Sequence, residues 1–475
     1  MSKVNEVRRS TLRYLTFVTA MLAIKPDSVL GATAQISATD RKYGARGDGN
    51  ADDTAALQRA INDAVATRSP LRIPKSENYY RITRSLEIPE ASQLSIVLEG
   101  VIRLDLPVGA EAVNVITGKN VKAFSLTGGG VIDGGYNVGK LRNGNGTKST
   151  MAGLFISNSR LDGEIAHIEN ILFKNTFTAA CSLVGFKQVE LINYSAKFCG
   201  VSHQNTPYAG ESIVITDADN VSIDGFHASR CMDGAGFLRC NNLIARNMNF
   251  IECGLGPDVP ASTNVEIYGL NIVSPLIYGF TSIAWGAQGI QRGAKRVVIK
   301  DLKIVGKPIL IDGKTYLGKG IGIDSTDYIS IDGDIAGVSV GLTVSRNFLR
   351  QRFRPSRTGT VIFNGRISNC TQSAIAVEAA DTVKISGQLS GNGRSNPARF
   401  AEITVSANDE QSKINELDVS VDPDTVETFP ESHLLMDAAA PKNVRHVMLG
   451  RIQKTKLERL IGKSVQPSGD WTYSH

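Results

Sequence analysis

A parallel β-helix, in which short strands and turns wind into coils stacked along one axis, is the fold class the sequence predicts. Three observations predict it: an apolar phrase that returns at fixed spacing, the absence of a helical period between its returns, and a length too great for one ordinary core. Chains of 475 residues divide into domains unless the core grows along one axis, as it does in a solenoid.

The phrase is a β-branched or aliphatic pair in alternation followed by a polar or glycine turn. It runs through Gln188-Val-Glu-Leu-Ile, Asn220-Val-Ser-Ile-Asp-Gly, Asn242-Leu-Ile-Ala-Arg-Asn and Asn264-Val-Glu-Ile-Tyr-Gly. It continues through Arg296-Val-Val-Ile-Lys, Tyr328-Ile-Ser-Ile-Asp-Gly, Thr360-Val-Ile-Phe-Asn-Gly and Thr382-Val-Lys-Ile-Ser-Gly. The second residues stand at 189, 221, 243, 265, 297, 329, 361 and 383, so successive steps are 32, 22, 22, 32, 32, 32 and 22. The shorter step is a minimal coil, and the longer one is a coil with a loop inserted at a turn. Each phrase is one short strand whose alternate residues point inward, so Val221 and Ile223 stack on their equivalents in the next coil. One coil cannot bury its apolar face alone, and many stacked coils can. Asparagine before the strand tolerates left-handed geometry and can hydrogen-bond its copy one coil away. No helix of a dozen residues separates the strands, which argues against βαβ units.

The open ends of such a stack expose unpaired strand edges. Thr54 to Val65 carries Leu57, Ala60, Ile61, Ala64 and Val65 on one stripe, with Asp52 or Asp53 at its start, and predicts an amphipathic helix that caps the first coil. Residues 35–410 form the β-helix in this reading. Residues 411–475 form the last coils and a C-terminal cap, with a short helix over Lys454–Ile461. Residues 1–34 read as an export signal: basic Lys3, Arg8, Arg9 and Arg13, a short apolar run from Tyr14 to Ile24, then small residues at Ala32-Thr-Ala34. Arg8-Arg9-Ser-Thr-Leu-Arg13 resembles a twin-arginine signal, with Thr11 where phenylalanine is usual. The expected location is periplasmic or secreted.

Net charge is +6, of which residues 1–34 carry +3, and the remaining +3 is too weak a bias to suggest nucleic acid. No stretch is long and apolar enough to cross a membrane as a helix. The cysteines Cys181, Cys199, Cys231, Cys240, Cys253 and Cys370 form no CxxC pair and match no zinc spacing, so they read as buried small hydrophobes.

Tyr43-Gly-Ala-Arg-Gly-Asp-Gly-Asn-Ala-Asp-Asp-Thr-Ala-Ala-Leu-Gln-Arg-Ala-Ile61, followed by Pro70-Leu-Arg-Ile-Pro74 and Tyr79-Tyr-Arg-Ile82, resembles the entry segment of the pectate-lyase-like right-handed β-helix superfamily. Thr127-Gly-Gly-Gly-Val-Ile-Asp133-Gly-Gly is similar to a strand of its polygalacturonase-type glycoside hydrolases (family 28). The superfamily hosts hydrolases, lyases, epimerases and binders, so it implies a fold more firmly than an activity. In family 28 the catalytic carboxylates lie on consecutive coils, in an N-T-D and a D-D motif, followed by G-H-G and R-I-K. Here Glu211, Asp233 and Leu255 are separated by 22 and 22. Glu211 falls at the N-T-D place and Asp233 at the D-D place. Gly254-Leu255-Gly256 keeps the glycines of G-H-G without the histidine, and the R-I-K counterpart is Gln291-Arg292 or Lys295-Arg296.

Glu211 and Asp233 are thus the expected acid and base or nucleophile, close enough for one to raise the pKa of the other. Asp258 is a third carboxylate, and His203 could replace the missing histidine. Cys231 precedes Asp233 by two residues, which places both on one face unless the strand ends between them. Arg292, Arg350, Arg352 and Arg354 are expected to bind sugar carboxylates. Trp285, Tyr208, Tyr268 and Tyr278 are expected to stack on sugar rings. The resemblance implies a polysaccharide partner containing uronate, and a monomer or homotrimer. Three readings stay open: a glycoside hydrolase without cofactor, a polysaccharide lyase or epimerase in which Ca²⁺ would assist, with Asp217 and Asp219 the nearest acidic pair, or a non-catalytic binding solenoid.

Overall fold

The computed structural model describes residues 35–135, 152–199, 210–284, 292–345 and 357–393, with short gaps at 91, 107–110, 112 and 312. Beyond these it describes 395, 402–406, 414–421, 434–436, 446–450 and 470–474. Two large sheets, of 20 and 13 strands, run the length of the molecule, and every pairing within them is parallel except that a small hairpin, Ile309–Ile311 with Lys314–Tyr316, forms a separate antiparallel pair. The protein is a right-handed parallel β-helix.

The predicted ladder is the observed register. Val189 pairs with Val221, Val221 with Leu243, Leu243 with Val265 and Val265 with Val297. Val297 then pairs with Ile329, Ile329 with Val361 and Val361 with Val383. These side chains are buried in one continuous core. The asparagines before the strands also behave as expected. Asn264 donates to Asn242 at 3.2 Å and Asn242 to Asn220 at 3.4 Å. Asn242 and Asn264 hold φ of 47° and 54°, in the left-handed region that Asn tolerates better than most residues.

The turn that ends each phrase differs from the expectation. It is a bend inside a long strand, not the end of a short one: Asn220–Ser229, Asn241–Ile251 and Thr263–Val273 each turn a corner and continue. The corner is made by a left-handed residue, Gly225 (φ 72°), Asn247 (φ 56°) and Gly269 (φ 70°) in successive coils. Each coil therefore has three flat faces. Two belong to the long bent strands, and the third is the 13-strand sheet. Behind the bend, aromatic side chains stack from coil to coil: Phe173 on Tyr194 (5.3 Å between centroids), Tyr194 on Phe226 (5.0 Å) and Phe226 on Phe250 (5.3 Å).

The predicted capping helix spans Thr54–Thr67, two residues longer than expected, and buries Leu57, Ala60, Ile61 and Ala64. Asp53 stands at the N-cap without a side-chain cap bond, and Asp52 before it accepts the Thr54 backbone N–H at 3.0 Å. Asp53 instead ties down the preceding glycine-rich loop through the N–H groups of Arg46 (2.7 Å) and Gly47 (3.0 Å). At the other end, Ile414–Val421, His446–Gly450 and Asp470–Ser474 still pair in parallel. Lys454–Ile461 and residues 1–34 lie outside the described residues, and no helix among those described is long and apolar enough to cross a membrane.

The bend makes a checkable demand. Replacing Asn247 by alanine removes its 2.8 Å bond to Asp224 and puts a Cβ without a compensating amide in a left-handed bend, a loss of about 1–2 kcal/mol. Asn247→Gly should lose less, because glycine adopts that φ freely. Thermal midpoints ordered wild type, glycine, alanine are expected; equal midpoints for the two variants would show that backbone conformation is not what the position is selected for.

Candidate active site

The site lies on the outward face of the 13-strand sheet, at the start of its strands. The direction of each Cβ decides which residues reach it, and two consecutive inward residues, Gly234 and Ala235, let both Asp233 and Gly236 face outward. A Cβ on Gly234 would stand 2.3 Å from the Phe250 ring inside the coil, so Gly234 faces in and Asp233 faces out. A Cβ on Gly256 would come within 1.7 Å of the Gly279 carbonyl oxygen. Only glycine allows the neighbouring strand of the same sheet to pass so closely at this position. The strand that starts with Glu211 is anchored from within, where the Tyr194 hydroxyl donates to the Ser212 carbonyl.

Cys231 does not share the face of Asp233. The chain turns at Arg230 (φ 54°) and the strand begins only at Asp233. Cys231 lies fully buried at the corner, near Cys199 and Cys253 in the flanking coils; all three are free thiols. The strand begins after the cysteine, so the Asp233 carboxylate is directed outward into a partly buried site.

Glu211, Asp233 and Leu255 stand in register on successive coils, as their spacing predicts. A second outward row, Phe155, Ser182, Val214, Gly236, Asp258 and Thr281, runs beside the first. Gly236 leaves a bare patch in that row: a Cβ there would be 3.9 Å from Glu211 Oε1. Three carboxylates therefore converge, Glu211 and Asp233 from one row and Asp258 from the other. Thr281 donates to Asp258 at 2.7 Å. One oxygen of Asp233 is buried without a hydrogen-bond partner among the described residues. A cleft of about 540 Å³ opens on the N-terminal side of the pair, lined by Phe155, Ala179, Ser182, Val214 and Met232 among others.

Burial pushes the Glu211 carboxyl up to about 8, with the charges of Asp233 and Asp258 adding to it. Burial alone pushes Asp233 up to about 6. At pH 7 one group is therefore mainly protonated and its neighbour mainly ionised, the division that acid–base chemistry requires.

Other expectations fare differently. His203, Tyr208, Trp285, Arg350, Arg352 and Arg354 lie outside the described residues. Arg292 is not brought to the pair. Its carbonyl receives the Ala261 N–H in the turn after the 13-strand sheet, at the opposite edge from Glu211 and Asp233. Arg296 pairs with Glu266 at 3.3 Å on another face, so neither R-I-K counterpart reaches the site. Asp217 and Asp219 also sit in a turn at that far edge. Asp217 is clasped by Arg239 through two bonds of 2.8 Å and Asp219 accepts from Asn241, so they form no open cation nest. Among the described residues no group of three or more His, Cys, Asp or Glu is arranged to hold a metal ion. Tyr268 lies on a bent-strand face, bonded to Glu266, whereas Tyr278 does stand in the site row, paired with Leu255. Phe155 was missed, although the alternation of Leu154-Phe155-Ile156 would have shown it facing outward.

No family model matches the sequence, and no curated protein matches it. Solved structures do. The chain is similar to the tailspike protein of E. coli bacteriophage HK620 in complex with pentasaccharide (12% identity, TM-score 0.54, covering 92% of this chain and 78% of that one). It is also similar to the family 28 exopolygalacturonase of Yersinia enterocolitica (11% identity, TM-score 0.52, covering 88% and 78%). What is shared at this identity is the right-handed β-helix.

The raised Glu211 pKa has a consequence for stability. The ionised form is penalised in the fold, so the carboxyl is tolerated best below its unfolded value of 4.5 and penalised increasingly as pH rises to about 8. Glu211→Gln cannot ionise. Its thermal midpoint should match wild type near pH 4.5 and exceed it by a few degrees at pH 8 and above. A difference independent of pH would contradict the buried, like-charged setting.

Proposed function

We propose that this protein is an exported enzyme that cleaves an acidic, uronate-containing polysaccharide by glycoside hydrolysis across Glu211 and Asp233. The observation that carries the reading is the in-register pair itself, with its two pKa values pushed to about 8 and about 6. Protonated Glu211 donates to the departing glycosidic oxygen. Ionised Asp233 activates water or attacks the anomeric carbon, and with Asp258 it balances the positive charge that develops on the ring. Adjacent coils lie roughly 4.8 Å apart, and side-chain direction adds enough to span the separations of both retaining and inverting enzymes. Phe155, half-exposed in the cleft, offers a flat apolar face for a sugar ring.

The fold neighbours support a sugar polymer as the ligand. One is named an exopolygalacturonase and the other is a tailspike protein in complex with pentasaccharide. The leader-like residues 1–34 support a periplasmic or secreted location, and the protein acts as a monomer or homotrimer. Leu255 stands where family 28 has a histidine and favours a second reading, a solenoid that grips the polymer without cutting it; His203 is the proposed substitute under the first.

A screen of acidic polysaccharides, followed through reducing ends and near-ultraviolet absorbance together, separates the readings. Reducing ends without absorbance indicate a hydrolase, absorbance an eliminating lyase, and affinity without turnover the binder. For the hydrolase, activity should trace a bell with limbs near pH 6 and pH 8. Asp233→Asn should lose at least about a hundredfold in kcat, and Glu211→Gln should remove the alkaline limb along with most of the rate. Asp233→Asn as active as wild type would remove the pair from the chemistry.

A further inference from the structure

The outward row that begins with Glu211 and Asp233 continues past Leu255 to Tyr278 and then Lys319, each in register with the one before. Gly279 and Gly320, the next residue in each strand, face inward, since a Cβ on them would come within 2.8 Å and 2.9 Å of Ile304 and Ile335. Tyr278 and Lys319 therefore share the outward face of the carboxylates. The Lys319 ammonium stands over the Tyr278 ring, 5.2 Å from its centroid. We propose that Lys319, held over Tyr278 three coils beyond Asp233, is an anion subsite that takes the carboxylate of a uronate in the bound polysaccharide.

Among the described residues Lys319 has no carboxylate partner, whereas Arg296 and Lys384 on the bent-strand faces pair with Glu266 and Glu416. A partly buried ammonium without a counter-charge is an unbalanced element of the fold, and a bound carboxylate supplies the balance. Burial lowers its pKa, in keeping with that deficit. The aromatic face steers the ammonium and leaves its donors free for an oxyanion. Three coil spacings amount to roughly 14 Å, too far for Lys319 to touch the bond being cut. The site works on binding and places the polymer along the helix axis. On the other side of the pair the cleft offers Phe155, Ala179, Ser182 and Val214, none of them charged. The preferred substrate thus carries its acid on the Lys319 side and neutral sugar on the Phe155 side.

This subsite rests on the polysaccharide-binding reading of the groove but not on catalysis, so it is tested by affinity. Polygalacturonate, alginate and hyaluronan, each beside its carboxyl-reduced neutral form, are titrated against wild type, Lys319→Met and Lys319→Arg by calorimetry. For a polymer that binds, the ratio of affinities, acidic over reduced, should fall tenfold or more in Lys319→Met and be kept in Lys319→Arg. A ratio unchanged in Lys319→Met, or equal loss of both forms by a variant with wild-type thermal midpoint, overturns the subsite. Should wild type bind without turnover, the catalytic reading fails while the ratio still decides Lys319. Should no polymer bind wild type, both fall.

Discussion

The structure depends on one constraint: parallel coils must stack in register, so every residue has a partner of the same role one coil above and below. The ladder Val189, Val221, Leu243, Val265, Val297, Ile329, Val361, Val383 satisfies it in the core. The asparagine ladder satisfies it at the turns, and the aromatic stack beneath the site satisfies it across the bend. A solenoid stabilised between nearest neighbours tolerates insertions wherever they leave the strands in register. The hairpin at Ile309–Tyr316 is one, placed between Tyr278 and Lys319 without displacing the pairing of their strands.

The same constraint builds the site and makes it unfavourable. Stacking puts like on like, so carboxylates on adjacent coils must face each other at coil spacing. On the bent-strand faces the molecule solves this by alternating signs, as in Arg296 with Glu266 and Arg366 with Asp334. On the outward face of the 13-strand sheet it does not. Glu211 and Asp233 pair directly, Asp258 comes in across the gap left by Gly236, and one Asp233 oxygen is buried without a partner. Partly buried like charges raise the free energy of the fold, and such an arrangement persists where it serves chemistry rather than stability.

How much of this was legible in the sequence varies with the regularity of the spacing. The first sheet could be read because its steps take only two values, and the pairing of Glu211 with Asp233 because the 22-residue step carries over to the second sheet. Beyond Leu255 the second sheet loses that period. Tyr278 follows by 23 residues and Lys319 by 41, the hairpin having been inserted between them. Lys319 therefore gave no sign in the sequence, whereas Arg292 and Arg296, which the motif spacing points to, lie in a turn and on a bent-strand face. The corner at Arg230 was equally hidden. A left-handed residue outside glycine leaves little trace in composition, yet it decides that Cys231 faces the core and Asp233 the outward, partly buried site.

The row also answers a difficulty that an acidic polymer poses for an acidic site. Two ionised carboxylates would repel a uronate chain at the point where it must bind. Burial holds Glu211 protonated through neutral pH, so the pair presents about one charge rather than two while retaining the proton that bond cleavage needs. The cation of the row, Lys319, stands three coils beyond Asp233, clear of the acids. If Lys319 stood beside Glu211 it would draw the proton off and abolish the acid, by the ordinary effect of a positive neighbour on a carboxyl. Separation along the helix axis thus lets one groove both attract an anion and keep a carboxylic acid. Coil stacking supplies that separation in steps fixed by backbone hydrogen bonding.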